Sequence, residues 1–147
     1  MKKLAILIMF MYCPIMLHSA SFAGSPDEKE TVEINEKFFI QQCMNVYLNP
    51  EDFQDKLLKI EGLCEVWDDN GETHYLVYRN TPGCCGNDGT IGFMFLYKGE
   101  EKLASKNWIS VTASVNIGKN PFGQKSITLD ATEVIIKEKH GAEFVMN

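Results

Sequence analysis

The sequence predicts a mainly β domain, a five-stranded barrel of OB type with one N-terminal α-helix. Three observations lead to this prediction. Residues 56–137 contain five strand-like segments, and in the first, fourth and fifth of them apolar and polar side chains alternate, the period of a half-buried strand. Turn-forming residues, and no helical pattern, separate these segments. Gly62 lies within the first segment, where the missing side chain permits the sharp bend that lets one strand pair in both halves of a small barrel.

One helix is predicted over residues 36–48, ahead of the strands. Asn35 suits its N-cap, because the side-chain oxygen can accept a hydrogen bond from a free N–H of the first turn. Pro50 ends it, since the residue before a proline is disfavoured in helical geometry. Residues 32–34 suggest a short strand before the helix, and residues 50–53 a short turn after it. The apolar stripe at helical spacing comprises Phe39, Ile40, Cys43, Met44, Val46, Tyr47 and Leu48.

Turn signals and side-chain alternation define the five strands. The Asp-Asp-Asn-Gly sequence at residues 68–71 predicts a hairpin, which places Cys64 opposite about Leu76. The third strand is apolar on both faces, so we expect both of its faces to be covered. In the fifth strand the alternation slips by one residue near Thr132, which predicts a β-bulge. The predicted strands cover residues 58–66, 73–79, 91–97, 109–117 and 125–137.

The first 23 residues have the features of a cleavable signal peptide. Lys2 and Lys3 form a positively charged start, and residues 4–17 are a nearly unbroken apolar run. Residues 21–23 have the small-x-small pattern of a cleavage site. The apolar run is short for a helix that spans a bilayer, so an uncleaved N-terminal anchor is the less favoured alternative.

We therefore expect an exported protein, either periplasmic or extracellular. Residues 24–31 are polar and predict a flexible N-terminus, and residues 32–147 form a single domain. No later stretch is apolar enough to enter a membrane, so no direct membrane insertion is expected after cleavage.

Charge disfavours nucleic acid as a partner. The formal net charge of the 147 residues is −6. Removing Lys2 and Lys3 with the leader leaves 12 basic and 20 acidic side chains, a net charge of −8. A surface of this sign repels phosphate backbones, although OB domains often bind single strands.

The connection between the second and third strands, residues 79–90, is the strongest candidate site. It is long for a hairpin, is rich in turn-forming residues and carries Cys84, Cys85 and Asp88. Thiolates suit zinc or copper(I), and a carboxylate can complete the ligand shell. The sequence thus suggests a metal site, although it contains no CxxC pair to strengthen the assignment.

Two other interpretations of Cys84 and Cys85 are open. The thiols are redox-active, with a strained disulfide between neighbours, or they are structural. In the structural interpretation one of them pairs with Cys43 or Cys64, or both pack as small apolar groups. Even numbers of cysteines in an exported chain permit disulfides, and one between Cys43 and Cys64, which both occupy core positions, is also possible.

Arg79 begins this connection and is the one arginine of the chain. It suits a structural salt bridge, for example with Asp88, or a role in holding a ligand. His74 is a poor metal co-ligand, because it lies near the other end of the second strand, and His140 belongs to the C-terminal tail.

No conventional catalytic set is present, so we expect a non-enzymatic protein. The sequence contains neither a serine elbow nor a glycine-rich phosphate loop. Trp67 and Trp108 flank strands and suit packing at the core or its rim better than a stacking surface for a ligand.

Several motifs resemble the C-terminal domain of the YcgQ-like family, bacterial proteins of unknown function. The resemblance covers most of residues 36–136, and its most specific element is the Cys-Cys-x-x-Asp sequence at residues 84–88. It includes the segments Glu36-Lys37-Phe38-Phe39, Asn45-Val46-Tyr47-Leu48-Asn49-Pro50, Ile60-Glu61-Gly62, Gly92-Phe93, Trp108-Ile109-Ser110-Val111-Thr112 and Ala131-Thr132-Glu133-Val134.

The resemblance implies an OB-like fold, an extracytoplasmic setting and a permease-type membrane partner. Members usually carry membrane helices before this domain, whereas this chain has a leader. The leading hypothesis is a binding module in which Cys84, Cys85 and Asp88 bind a metal and Arg79 supports them. The alternatives are a module that docks a membrane protein without a small ligand and a thiol redox protein.

Overall fold

The computed structural model describes residues 29–83 and 86–146, with the backbone alone described for residues 86–88. This described part of the chain is mainly β with one α-helix, as predicted. A short 3₁₀ turn precedes the helix, and a second one follows it. The elements are β1 (Thr31–Glu33), the first 3₁₀ turn (Glu36–Phe38), α1 (Phe39–Leu48), the second 3₁₀ turn (Pro50–Phe53), β2 (Leu57–Asp69), β3 (Glu72–Gly83), β4 (Gly86–Leu96), β5 (Trp108–Lys119) and β6 (Lys125–Ile136).

One six-stranded sheet contains all of these strands. Their order is β1-β2-β3-β4-β6-β5, and β2 also pairs with β5, so β3 to β6 each have two hydrogen-bonded neighbours and β2 has three. The β1–β2 and β4–β6 pairs are parallel, and the other pairs are antiparallel. The sheet therefore has one strand more than the five that the sequence predicted as a barrel, because the short β1 adds to the edge of β2.

The long strand β2 changes partner at its centre. Its first half, from Leu57 to Leu63, pairs with β5, and its second half, from Leu63 to Asp69, pairs with β3. Gly62 lies at this change, where a Cβ atom would collide with the backbone carbonyl oxygen of Tyr78 on β3. A Cβ on Gly92 of β4 would meet the same backbone. The two glycines thus let three strands approach closely where the sheet coils.

The core lies between the sheet and α1. Phe39, Cys43 and Val46 are fully buried and point from one side of the helix into the sheet, as their spacing predicted. The sheet contributes alternate side chains of every long strand. Fully buried side chains of these strands include Leu58, Ile60, Val77, Phe93, Ile109, Val111 and Leu129.

The local signals at the turns and caps are confirmed. The Asn35 side chain accepts a hydrogen bond from the N–H of Lys37 at 2.9 Å. Asn70 and Gly71 have φ angles of 51° and 86° and form the predicted two-residue hairpin. Cys64 pairs with Val77 and not with Leu76, because the centre of the turn lies between Asn70 and Gly71.

The predicted bulge in the last strand is also present. Thr112 pairs with Glu133 and Ala113 with Ala131, so Thr132 is the additional residue. The Thr132 hydroxyl donates to the carbonyl oxygen of Thr112 at 2.9 Å.

The prediction of a long loop over residues 79–90 is wrong. β3 extends to Gly83 and β4 begins at Gly86, and these two glycines pair across the hairpin. The turn-forming residues of this segment suggest a loop, but they are compatible with paired strands. Pro82 lies at a register shift of the ladder, where its missing N–H interrupts no regular hydrogen bond.

The predicted signal peptide at residues 1–23 and the first part of the flexible segment lie outside the described residues. β1 begins at Thr31, the last residue of that segment. Within residues 29–83 and 86–146, no helix is long and apolar enough to cross a membrane.

We expect Gly62→Ala to lower the free energy of unfolding by about 1–3 kcal/mol, because the new methyl group overlaps the backbone of β3. Urea denaturation measures this change. Gly118→Ala on β5 is the matched control, since its Cβ would contact just the Ser126 hydroxyl at 3.4 Å. Equal stabilities for the two variants would contradict the close approach at Gly62.

Candidate functional site

The β3–β4 hairpin carries the candidate metal ligands. Cys84 and Cys85 lie outside the described residues, between the paired glycines Gly83 and Gly86. Asp88 belongs to β4, in the part whose side chains are not described. The ladder pairs continue along this hairpin, so the two cysteines are joined to the sheet by paired strands and not by a long loop.

The C-terminal tail covers one edge of this hairpin. The β2–β3 ladder ends at Tyr78, and beyond it the tail forms a parallel bridge between Phe144 and Asn80. The N–H of Asn80 donates to the carbonyl oxygen of Glu143, and the N–H of Val145 donates to that of Asn80, both at 2.9 Å. The base of the hairpin is therefore held from both sides.

Arg79 is buried at this base, with 2 % of its surface exposed. Its Nε donates to the carbonyl oxygen of Glu61 at 2.9 Å. Its Nη1 donates to Oε2 of Glu36 at 2.8 Å and to the carbonyl oxygen of Ala142 at 3.1 Å. Of the two roles that the sequence left open, these contacts correspond to the structural salt bridge, and the described carboxylate partner is Glu36.

Aromatic rings lie on the guanidinium group of Arg79. The centre of the group is 4.6 Å from the ring of Phe39 and 4.9 Å from that of Trp108. Trp108 in turn stacks on His140, with 5.4 Å between ring centroids and 13° between their planes. The buried charge is thus compensated by hydrogen bonds, a carboxylate and π faces together.

The Glu36 carboxylate joins the first 3₁₀ turn to the C-terminal tail. Its Oε2 accepts from the Ala142 N–H at 3.0 Å as well as from Arg79. The hydrogen bond from the Ala142 backbone has the largest effect on the pKa of Glu36, followed by that from Arg79. Both hold this pKa below its ordinary value of 4.5. A Cβ on Gly141 would collide with this carboxylate and lie 3.1 Å from the Trp108 ring, so a glycine fits this position.

The two described cysteines are unreactive core residues, as their positions in the sequence predicted. Cys43 and Cys64 are buried free thiols, and the possible disulfide between them is not formed. Burial raises the pKa of Cys43 to about 12 and that of Cys64 to about 11. Neither thiol is therefore a thiolate near neutral pH.

The histidines take part in stacking. His74 lies on β3 and stacks on Trp67, with ring centroids 5.4 Å apart. His140 stacks on Trp108, and its Nδ1 lies 3.8 Å from Oε1 of Glu143. Within the described part of the chain, no three His, Cys, Asp or Glu side chains are grouped to hold a metal ion.

A groove that the sequence did not predict lies between α1 and strands β3 and β4. Its volume is about 470 Å³. The hydroxyl of Tyr47, on α1, donates to the carbonyl oxygen of Gly92 and joins the helix to β4. The residues that line the groove are Ile40, Met44, Tyr47, Leu76, Tyr78, Thr81, Thr90, Ile91 and Gly92.

The expectation that β4 is covered on both faces is wrong for the described structure. Phe93 and Phe95 are buried, but Met94 and Leu96, which point the other way, are 41 % and 49 % exposed. The apolar residues on both faces of β4 predict a fully enclosed strand. The same pattern also fits what the structure shows, a strand with one buried face and one exposed apolar face.

Comparison with known proteins identifies one family. The model of the DUF1980 C-terminal domain matches residues 18–145. No curated protein matches the chain.

We expect Arg79→Lys to lower the free energy of unfolding by about 3 kcal/mol, because an ammonium group cannot make the three hydrogen bonds and both ring contacts. Thermal and urea denaturation measure this loss. Lys59→Arg is the control, since Lys59 forms an exposed ion pair with Glu33, for which changes stay below about 1 kcal/mol. Similar losses in both variants would refute a special role of Arg79.

The Glu36 carboxylate predicts a pH dependence. Because its pKa is lowered in the folded state, its contribution to stability is present above pH 4.5 and is lost as the pH falls through the folded pKa. We expect Glu36→Gln to flatten the dependence of unfolding free energy on pH in this acidic range. Glu33→Gln, which removes an exposed ion pair with Lys59, serves as the control. If Glu36→Gln and the unmodified protein lose stability in parallel, the assignment fails.

Proposed function

The chain belongs to the DUF1980 C-terminal domain family, and for this member we propose an exported binding module of OB-like fold that binds a metal ion through Cys84 and Cys85. Zinc and copper(I) are the ions that two thiolates favour. Asp88 supplies an oxygen ligand, and Arg79 anchors the hairpin that presents them. Residues 1–23 act as the signal peptide, and the mature protein works in the periplasm or outside the cell.

The strand pairing supports the OB-like fold. β2 to β6 pair in a cycle, and the first of them bends at Gly62 to serve two partners. A small barrel needs such a bent strand in order to close. α1 lies before these strands in the sequence, and its buried residues pack against them.

One observation carries the metal proposal. The ladder pair Gly83–Gly86 joins two antiparallel strands, and Cys84 and Cys85 are the two residues between these glycines in the sequence. The flanking residues Pro82 and Gly83 are exposed. Two thiols in a paired hairpin bind one soft ion more tightly than the same two thiols in a flexible loop. The paired strands restrict the chain before the ion binds, so less conformational entropy is lost on chelation.

The state of the other cysteines supports the same proposal. Cys43 and Cys64 are free, buried thiols. This observation disfavours the structural interpretation in which a hairpin thiol is tied to the core. Two alternatives, a redox pair formed by the adjacent thiols and a structural role of both thiols, are separated from metal binding by the experiment below.

We expect protein purified anaerobically with a reductant to retain one equivalent of zinc or copper after loading with either ion and desalting. Cys84→Ser combined with Cys85→Ser removes both soft ligands, so bound metal should fall at least about tenfold. Native mass spectrometry measures the metal and reports any disulfide between the two cysteines.

His74→Gln is the control for this experiment, since it removes a metal-binding side chain from the opposite end of β3. Metal content that persists in the double serine variant, or no bound metal in the reduced protein, would refute the site. A Cys84–Cys85 disulfide that forms in air and is reduced by thiols would favour the redox alternative.

A further inference from the structure

The outward side of strands β2, β3 and β4 is an apolar surface. Trp67, His74, Leu76, Met94 and Leu96 project from it, and the register places them in two cross-strand rows. Trp67 pairs with His74, and Leu76 pairs with Met94. We call these five residues the outer face. The groove beside α1 continues this face, because Leu76 also lines the groove.

Several neighbouring apolar side chains of the outer face are exposed to solvent together. Trp67 is 38 % exposed, Met94 41 % and Leu96 49 %. A second depression of about 180 Å³ is lined by His74, Met94 and Leu96 among others. Single exposed apolar residues are ordinary, but a contiguous patch with two depressions is typical of an interaction site. Met94 lies on the outer face, and Met44 of α1 lines the groove. The flexible side chains of both residues can adapt to the shape of a bound partner.

The rim of the outer face is acidic. Asp69 and Glu72 pair directly across the β2–β3 hairpin, next to Trp67 and His74, and Glu65 pairs with Leu76. Like charges in direct cross-strand pairs destabilise a sheet. Among the described residues, no basic side chain forms an ion pair with Glu65, Asp69 or Glu72.

Tyr78 lines the groove beside this acidic side. Burial, followed by the charges of Glu65, Cys64 and Glu143, raises the pKa of Tyr78. Lys98 is the basic residue at the edge of the second depression. The negative charge of Glu65, Asp69 and Glu72 therefore lies along the β2–β3 side of the outer face.

We propose that the outer face and its groove bind a protein segment that presents apolar side chains flanked by lysine or arginine. Apolar anchors fill the two depressions, and the basic flanks neutralise Glu65, Asp69 and Glu72. The residues of β4 that the sequence marked for burial then become covered by the partner. Nucleic acids and anionic bilayers carry the same sign of charge as the rim, and two copies of this chain would bring two acidic rims together.

Synthetic peptides test this proposal. One amphipathic peptide of leucine and lysine is the probe, and its counterpart with glutamate in place of lysine is the charge control. We expect the leucine–lysine peptide to bind saturably with one-to-one stoichiometry, seen as a change in Trp67 fluorescence and in backbone amide NMR shifts. Binding should weaken as salt rises, because the rim attraction is screened.

Variants of exposed residues locate the site. Met94→Ser combined with Leu96→Ser should weaken peptide binding about tenfold or more, because it removes two apolar contacts without changing charge. Phe122→Ser is the matched control, since Phe122 is 88 % exposed in the β5–β6 turn and belongs to neither depression. Asp69→Asn combined with Glu72→Gln should lower the affinity and its salt dependence, whereas Glu133→Gln on β6 should not.

Several outcomes would overturn the proposal. These are equal binding of the glutamate peptide, no saturable binding of either peptide, and an equal loss in Phe122→Ser. Binding to phosphatidylglycerol vesicles in place of the peptide, or dimers in sedimentation experiments that Met94→Ser abolishes, would assign the face to a bilayer or to a second copy. The Cys84→Ser, Cys85→Ser variant should bind the peptide normally, which separates this face from the metal site.

Discussion

The buried guanidinium of Arg79 joins the segment ahead of α1 and the C-terminal tail to the sheet. It bonds to Glu36 ahead of α1, to the carbonyl oxygen of Glu61 on β2 and to that of Ala142 in the tail. A buried cation is costly unless its donors are satisfied, and here three segments that are distant in the sequence satisfy them. The start of the helical region and the tail are thus tied to β3 through one side chain. The candidate hairpin begins directly after it.

Much of the fold was accessible from the sequence, because it is specified by local rules. Alternation placed the strands, Asn70 and Gly71 set the first hairpin, and the slip at Thr132 identified the bulge. The sequence predictions are wrong where local composition indicates one structure and strand pairing at a distance imposes another. Pro82 and its neighbouring glycines resemble a loop, but pairing with the opposite strand extends the hairpin through them. Composition alone does not show such pairing.

The surroundings of Arg79 could not be predicted for a related reason. Its partners lie 43, 18 and 63 residues away in the sequence, and two of the three acceptors are backbone carbonyls that no residue type identifies. Cys43 and Cys64 were correctly placed in the core, because their neighbours give the apolar stripe and the strand period. The outer face was partly visible as a strand with apolar residues on both sides. Whether the second face of β4 is covered depends on where the other elements of the chain pack. α1 covers the groove in part but leaves Met94 and Leu96 exposed.

The pairing of the tail with Asn80 has a consequence for the order of folding. Ala142, which bonds to Arg79, and Val145, which bonds to Asn80, both follow the last strand of the sheet. The hairpins can form the sheet before the tail docks, but the guanidinium then lacks the Ala142 carbonyl oxygen and Glu36 lacks the Ala142 N–H. We therefore expect the segment before α1 to become fixed when the tail docks, because the tail bonds to the Glu36 carboxylate that this segment carries.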